Sequence, residues 1–124
     1  MKPVVGPLIG VFMILLSLSL PAQADGNYLL KRCQAALDFP ESRQDGLRAP
    51  MAYCYGLLQG IRELNRLYER KGTDLAYFCT GGRRLDHQEA AQLVVDYLRA
   101  RPDQLYRGES VLAVQAFRQA FPCG

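Results

Sequence analysis

The chain has 124 residues, with 15 Lys or Arg and 12 Asp or Glu, so its formal net charge at pH 7 is +3. This length fits one domain with a modest core. Basic and acidic residues are mixed along the chain, and the basic pairs Arg83-Arg84 and Arg99-x-Arg101 are not interleaved with aromatic residues. The composition therefore argues against a nucleic-acid-binding function.

The first residues have the pattern of a secretory signal peptide. Lys2 precedes an apolar run over residues 4–20, and Pro21 and Ala22-Gln23-Ala24 follow it. A positive start, a short apolar run and a small-x-small site predict cleavage after Ala24. A membrane anchor is the alternative, but the run is slightly short for a spanning helix. We therefore predict a signal peptide over 1–24, a mature domain over 25–124 and a periplasmic location.

Four cysteines, Cys33, Cys54, Cys79 and Cys123, lie in the mature part. An even number of cysteines in an exported chain predicts two disulfides, for which three pairings exist. A zinc site is disfavoured because the chain has no Cys-x-x-Cys pair and a single histidine. No metal and no cofactor are predicted.

The first two helices follow from apolar periodicity. Asn27 is the predicted cap of the first helix, Pro40 its end, and residues 41–48 a polar loop. The second helix is predicted from Pro50 to Gly72, since proline favours a first turn and glycine follows a last one. Its predicted inward stripe is Cys54, Leu57, Leu58, Ile61, Leu64, Leu67 and Tyr68.

A loop over residues 73–85, which contains Cys79 and Gly81-Gly82, precedes the third helix. Asp86 and Glu89 resemble a capping box at its start. The predicted inward residues of this helix are Ala90, Leu93, Val94, Tyr97 and Leu98. Pro102 ends it and is the predicted start of a fourth helix, in which Glu109 stands where the stripe needs an apolar residue.

These elements predict an all-α fold, a compact antiparallel bundle of four main helices stapled by two disulfides. If the helices alternate in direction, the end of the first lies beside the start of the second, and the end of the fourth lies near the loop after the second. This topology favours the pairs Cys33–Cys54 and Cys79–Cys123.

Gly56 and Gly60 lie on one face of the second helix, where each costs about 1 kcal/mol relative to alanine. The favoured interpretation is close packing against another helix of the same chain, with the first helix as the neighbour. The alternative is a flat recognition surface for another protein.

The placed motifs are similar to those of the Tai (Rap/Tai) family of immunity proteins, which act against amidase toxins of type VI secretion. The resemblance covers essentially the whole mature chain. It is carried by GNYLLKRC at 26–33, YCYGLLQG at 53–60, QLVVDYLRARPDQL at 92–105 and AFRQAFPC at 116–123. It implies a dimeric, non-enzymatic periplasmic inhibitor that plugs the active-site cleft of a peptidoglycan amidase.

Three positions depart from the family pattern. Gly81 replaces a usual proline, Glu63 a usual aspartate, and Glu109 a usual small residue. The change at Gly81 affects the loop expected to contact a partner, so the identity of the target is not implied.

The candidate partner-binding residues are Gly82, Arg83 and Arg84, because loops on rigid scaffolds carry recognition and arginine is enriched at interface hot spots. The alternative is that Arg83 and Arg84 are solvated surface residues without a binding role. A catalytic reading would need Cys79 and His87, but a half-cystine is no nucleophile. A second functional class is a structural or chaperone-like periplasmic helical protein without a cognate toxin.

Overall fold

The computed structural model describes residues 24–124. The predicted signal peptide therefore lies outside the described residues, except for Ala24. The described chain contains four α-helices: α1 (Gly26–Ser42), α2 (Arg48–Lys71), α3 (His87–Arg99) and α4 (Glu109–Ala120). Short 3-10 helices lie in the connections at Asp45–Leu47, Thr73–Leu75 and Pro102–Gln104. Within residues 24–124 no strand forms beyond a single isolated bridge between Asp25 and Gly108, so the predicted all-α class is confirmed.

Two disulfides join the elements, and both predicted pairs are confirmed. Cys33 of α1 is bonded to Cys54 of α2, and Cys79 of the loop after α2 is bonded to Cys123 after α4. The two bonds close rings with sequence separations of 21 and 44 residues. In the chain-entropy model, rings of this size stabilise a fold by about 3 to 4 kcal/mol each.

One hydrophobic core receives side chains from all four helices and from the loop before α3. Phe78 of that loop is fully buried and stacks on Phe117 of α4, with ring centroids 5.1 Å apart. The core residues of the helices are Leu29, Cys33 and Ala36 of α1; Cys54 and Leu58 of α2; Ala90, Ala91, Val94, Val95, Tyr97 and Leu98 of α3; and Leu112, Ala113, Ala116 and Phe117 of α4. Leu85 of the same loop is also a core residue, so the loop contributes to the core at two points.

The ends of α1 differ from the prediction. Asp25, not Asn27, caps the helix, since its Oδ1 accepts from the backbone N–H of Tyr28 at 3.0 Å. Pro40 lies inside the helix, which continues to Ser42. A proline cannot donate to the carbonyl four residues earlier, and here the Tyr55 hydroxyl donates to that Ala36 carbonyl at 3.3 Å. A contact from α2 therefore replaces the hydrogen bond that Pro40 removes.

Helix α2 begins at Arg48, two residues before the predicted Pro50, and ends at Lys71, with the predicted Gly72 directly after it. The predicted inward stripe is wrong in the second half of the helix, because Leu64, Leu67 and Tyr68 are 57%, 56% and 41% exposed. Asn65 is buried in their place. The last turns of α2 therefore present leucines to solvent and an amide to the interior.

The predicted start is confirmed for α3 and wrong for α4. Asp86 caps α3 as predicted, accepting from the Glu89 N–H at 2.7 Å. The predicted start of α4 at Pro102 is wrong: Pro102 opens a 3-10 turn, and α4 begins at Glu109. The irregular pair Gly108-Glu109 thus marks a helix start rather than a gap in a stripe.

The close approach predicted at Gly56 and Gly60 is absent from the described chain. Both glycines are exposed, and apart from the adjoining residues and the backbone of α2 itself no atom lies within 4 Å of a Cβ placed on either. The close approach occurs at Gly26 instead. A Cβ there would lie 2.5 Å from Leu112 Cδ1 and 2.9 Å from the Cα and carbonyl oxygen of Leu105. The first turn of α1 needs glycine because the turn before α4 runs directly against it.

Gly26→Ala is expected to destabilise the fold by about 1 to 3 kcal/mol, because the added methyl group meets backbone atoms that cannot rotate away. Gly60→Ala is the matched control and should stabilise the protomer by up to about 1 kcal/mol through helix propensity. Urea unfolding at low protein concentration measures both. Equal effects of the two substitutions would contradict the assignment of the close contact to Gly26.

Candidate functional site: the loop between α2 and α3

The loop over residues 76–86 is fixed at its base by one buried amide. Asn65 of α2 donates through Nδ2 to the Phe78 carbonyl at 2.7 Å, and its Oδ1 accepts from the backbone N–H groups of Tyr77 at 2.9 Å and Phe78 at 3.3 Å. Because Asn65 is only 4% exposed, these bonds are shielded from water. The chain leaving α2 is thereby held against the side of that helix.

A carboxylate of α2 holds the next part of the loop. Glu69 accepts from the Gly81 N–H at 2.9 Å and from the Thr80 hydroxyl at 3.3 Å. Gly81 and Gly82 then turn the chain with φ values of 62° and 81°. Two consecutive residues in the left-handed region favour glycine. The Gly81-Gly82 pair therefore forms a defined turn.

Three further contacts close the loop on the domain. The Cys79–Cys123 disulfide is accompanied by a hydrogen bond from the Cys79 N–H to the Phe121 carbonyl at 2.9 Å. On the other side, Arg62 donates to the Leu85 carbonyl at 2.6 Å. Partial burial lowers the pKa of the Arg62 guanidinium below its usual value. Residues 81–84 remain exposed between these anchors.

The two arginines of the tip have different surroundings. Arg83 forms an ion pair with Glu89 in the first turn of α3, and its guanidinium carbon lies 5.7 Å from the centre of the Phe121 ring. The Arg83 charge is therefore already engaged within the protein. The loop backbone supports this placement, since the Arg83 N–H donates to the Thr80 carbonyl at 3.1 Å.

Arg84 is exposed and forms no ion pair with any other described residue. It lines a shallow hollow of about 240 Å³ together with Gly82, Glu69, Arg66 and Arg70. Arg66 has a weak pair with Glu63, with 3.5 Å between nitrogen and oxygen. Three arginines and one carboxylate line the hollow, so it has an excess of positive charge suited to an acidic group of a partner.

The structure brings the predicted partner-binding residues Gly82, Arg83 and Arg84 together at one exposed tip, whereas Gly56 and Gly60 lie elsewhere along α2. Sequence reasoning missed Asn65 and Glu69, which position the tip. Asn65 follows Cys54, Leu58 and Ile61 at spacings of four, three and four residues. That spacing is the signal that placed it on the inward face of α2.

The catalytic alternative lacks its nucleophile, because Cys79 is in a disulfide. His87 stacks on Tyr55, with ring centroids 5.0 Å apart. Over residues 24–124 there is no group of three or more His, Cys, Asp or Glu side chains placed to hold a metal. In the same part of the chain, no helix combines the length and the apolar character needed to cross a membrane.

A comparison with protein families gives one match. The model of the family described as Rap1a immunity proteins matches residues 25–123. The match includes all four helices, both disulfides and the loop described above. No individual curated protein and no solved structure gives a significant match to the chain.

Asn65→Ala is expected to destabilise the fold by about 2 to 4 kcal/mol, because it leaves a buried backbone carbonyl and two N–H groups without partners. Amide hydrogen exchange should accelerate at Tyr77 and Phe78 more than in α3. Gln59→Ala, an exposed substitution on the same helix, is the control and should change neither measurement. Unchanged exchange at Tyr77 and Phe78 in Asn65→Ala would contradict the anchoring role.

Proposed function

Since the chain belongs to the Rap1a immunity protein family, we propose that it acts in the periplasm and neutralises a peptidoglycan amidase delivered by type VI secretion, by occluding the active-site cleft of that toxin. The family establishes the coarser part, an immunity protein whose partner is a toxin effector. The amidase, the compartment and the mode of inhibition are the proposal. No catalytic step in the inhibitor is needed, because filling a cleft is enough to exclude substrate.

The observation that carries the proposal is the exposed tip over residues 81–84 on a firmly anchored loop. Asn65, Glu69 and the Cys79–Cys123 bond fix the loop before any partner arrives. A segment that is ordered in advance loses less conformational entropy on binding. Such a projection is well suited to enter a cleft.

Charge supports the same surface. Arg84, Arg66 and Arg70 surround the hollow beside the tip. Complementary potentials accelerate encounter and suppress wrong partners. We therefore propose that the toxin presents acidic groups next to its cleft, where Arg84 contacts them.

The compartment follows from two features. Two disulfides that close the fold are typical of proteins in an oxidising environment. Together with the family they indicate an exported protein, and the pattern of residues 1–24 supports cleavage after Ala24. A periplasmic location places the inhibitor where an incoming cell-wall amidase acts.

We also propose that the protein functions as a homodimer through the exposed face of α2. Gly56, Gly60, Leu64 and Leu67 lie at helical spacing on this face, and all four are exposed. Small residues followed by leucines give a flat apolar strip on which a second α2 can lie. In a two-fold symmetric dimer, the same strip of each protomer would form the two sides of the interface.

The first functional prediction concerns Arg84. Arg84→Glu should weaken binding to the cognate amidase at least tenfold, because it sets a like charge against an acidic partner surface. The fold should be unchanged, since Arg84 makes no ion pair within the described chain. Calorimetric titration measures binding, and survival of cells that produce the amidase in the periplasm measures protection.

Arg118→Glu is the matched control, because Arg118 is also exposed but lies on α4. Binding and survival should be unchanged in this variant. Full protection by Arg84→Glu would remove the tip from the contact surface. Absence of binding between the wild-type protein and any amidase of the same strain would favour a structural or chaperone-like periplasmic role.

The dimer has its own test. Leu64→Glu should convert the protein to a monomer, because it places a charge in the apolar strip twice per dimer. Leu75→Glu is the control, since Leu75 is equally exposed at 57% but lies outside α2. Sedimentation equilibrium gives the mass of each variant. A wild-type monomer, or a Leu64→Glu dimer as tight as the wild type, would exclude this face as the interface.

A further inference from the structure

The first residue of α4 is an acid with an unsatisfied oxygen. Glu109 is 9% exposed, and its Oε1 accepts from the Tyr53 hydroxyl at 2.5 Å. Its Oε2 is buried and has no hydrogen-bond partner among the described residues. Buried polar atoms are rarely left without partners, and a buried carboxylate is more costly than a neutral group. The Glu109 carboxylate thus lacks one hydrogen-bond donor, at Oε2.

The backbone next to this acid is that of Asp25. In the isolated bridge between Asp25 and Gly108, the Gly26 N–H donates to the Arg107 carbonyl at 3.0 Å, and the Glu109 N–H donates to the Ala24 carbonyl at 3.2 Å. The Asp25 nitrogen is bonded to the carbon of that same Ala24 carbonyl. It therefore lies within roughly 5.5 Å of the Glu109 nitrogen, as peptide bond lengths require.

Cleavage after Ala24, on which this inference rests and which belongs to the proposed function, changes the chemistry at this point. Hydrolysis adds water across the Ala24–Asp25 peptide bond. The carboxylate leaves with the signal peptide, and the amine stays on Asp25 as an α-ammonium group. The Glu109 N–H loses its acceptor, while an ammonium group with three donors appears beside the Glu109 backbone.

Within residues 24–124, no Lys or Arg side chain forms an ion pair with Glu109. Arg32 lies against the rings of Tyr28 and Tyr53, at 4.3 and 5.6 Å from their centres, and donates to the Tyr28 hydroxyl. Arg107 donates to Gln104 and Gln115. The charged and titratable groups around the junction are the Asp25 carboxylate, Tyr28, Arg32, Tyr53 and Arg107. The Glu109 carboxylate also raises the pKa of Tyr53 to about 12, chiefly through their hydrogen bond.

We propose that the α-ammonium group formed at Asp25 by signal cleavage pairs with the Glu109 carboxylate, so that processing completes the junction between α1 and α4. The new ion pair joins the start of α1 to the start of α4, where Gly26 already packs against Leu105 and Leu112. The exported, processed chain is then more stable than the same domain with residues still attached before Asp25.

The test uses the mature protein recovered from the periplasm after export of the full chain, with its N-terminus verified by mass. The ¹³C chemical shift of Asp25 Cα, followed against pH, reports the pKa of the α-amine. An unperturbed α-amine has a pKa of about 7.7 to 8.0. We expect the wild-type value to be higher by about one pH unit or more, and Glu109→Gln to return it to the ordinary range.

A stability measurement gives a second readout. An amine whose pKa is raised in the folded state stabilises the fold fully below its unfolded pKa, and this contribution is lost as pH rises through the folded value. The melting temperature of the wild type should therefore fall between about pH 8 and pH 10 more steeply than that of Glu109→Gln. Glu41→Gln, at an exposed acid of α1, is the control and should follow the wild type.

A third variant separates the amine from the rest of the chain. One alanine inserted between Ala24 and Asp25 leaves the processing site intact and moves the ammonium group one residue away. We expect this variant to match Glu109→Gln in its pH dependence. A mature N-terminus other than Asp25 would overturn both the cleavage and the ion pair. A verified Asp25 terminus with an ordinary pKa in the wild type would overturn the ion pair alone, while binding to the amidase is judged separately through Arg84.

Discussion

The buried amide of Asn65 is the contact on which the loop over residues 76–86 depends. It satisfies three backbone groups of Tyr77 and Phe78 at once, and its own side chain is buried. Phe78 then inserts its ring into the core against Phe117. The amide thus fixes the chain after α2 where Phe78 can enter the core. The Cys79–Cys123 bond holds the next residue of the loop. What remains free is a short tip with fixed ends.

The charges around the loop divide into two groups. Glu69 and the Glu89–Arg83 pair are used inside the molecule, where they fix the loop backbone and join the loop to α3. Arg84 is left over, next to Arg66 and Arg70. Surface ion pairs contribute little to folding, so the absence of an ion pair at Arg84 costs the fold little and leaves its charge available for the proposed contact with the toxin. The tip therefore combines a rigid backbone with one available charge.

Local signals in the sequence predicted much of this fold. Helix periodicity, the Asp86 cap, the Gly72 stop and the number of cysteines depend on neighbours along the chain. The failures depend on contacts between distant segments. Pro40 does not end α1 because Tyr55 supplies the missing donor, and Pro102 forms only a short turn before α4. Arg83 and Arg84 look alike in the sequence, and only the position of Glu89 distinguishes them.

The positions that break local rules fall into two classes. Gly26 and Asn65 are poor helix formers and Glu109 is a buried acid. Each has a reason inside the protein: a close backbone, three hydrogen bonds, or a junction beside Asp25. Gly56 and Gly60 cost about 1 kcal/mol each in helix propensity, and the described chain offers nothing in return, since open space surrounds both. Leu64 and Leu67 continue the same exposed face. Rules broken without an internal compensation are expected at functional sites, and this face of α2 is the one proposed above for contact between two protomers.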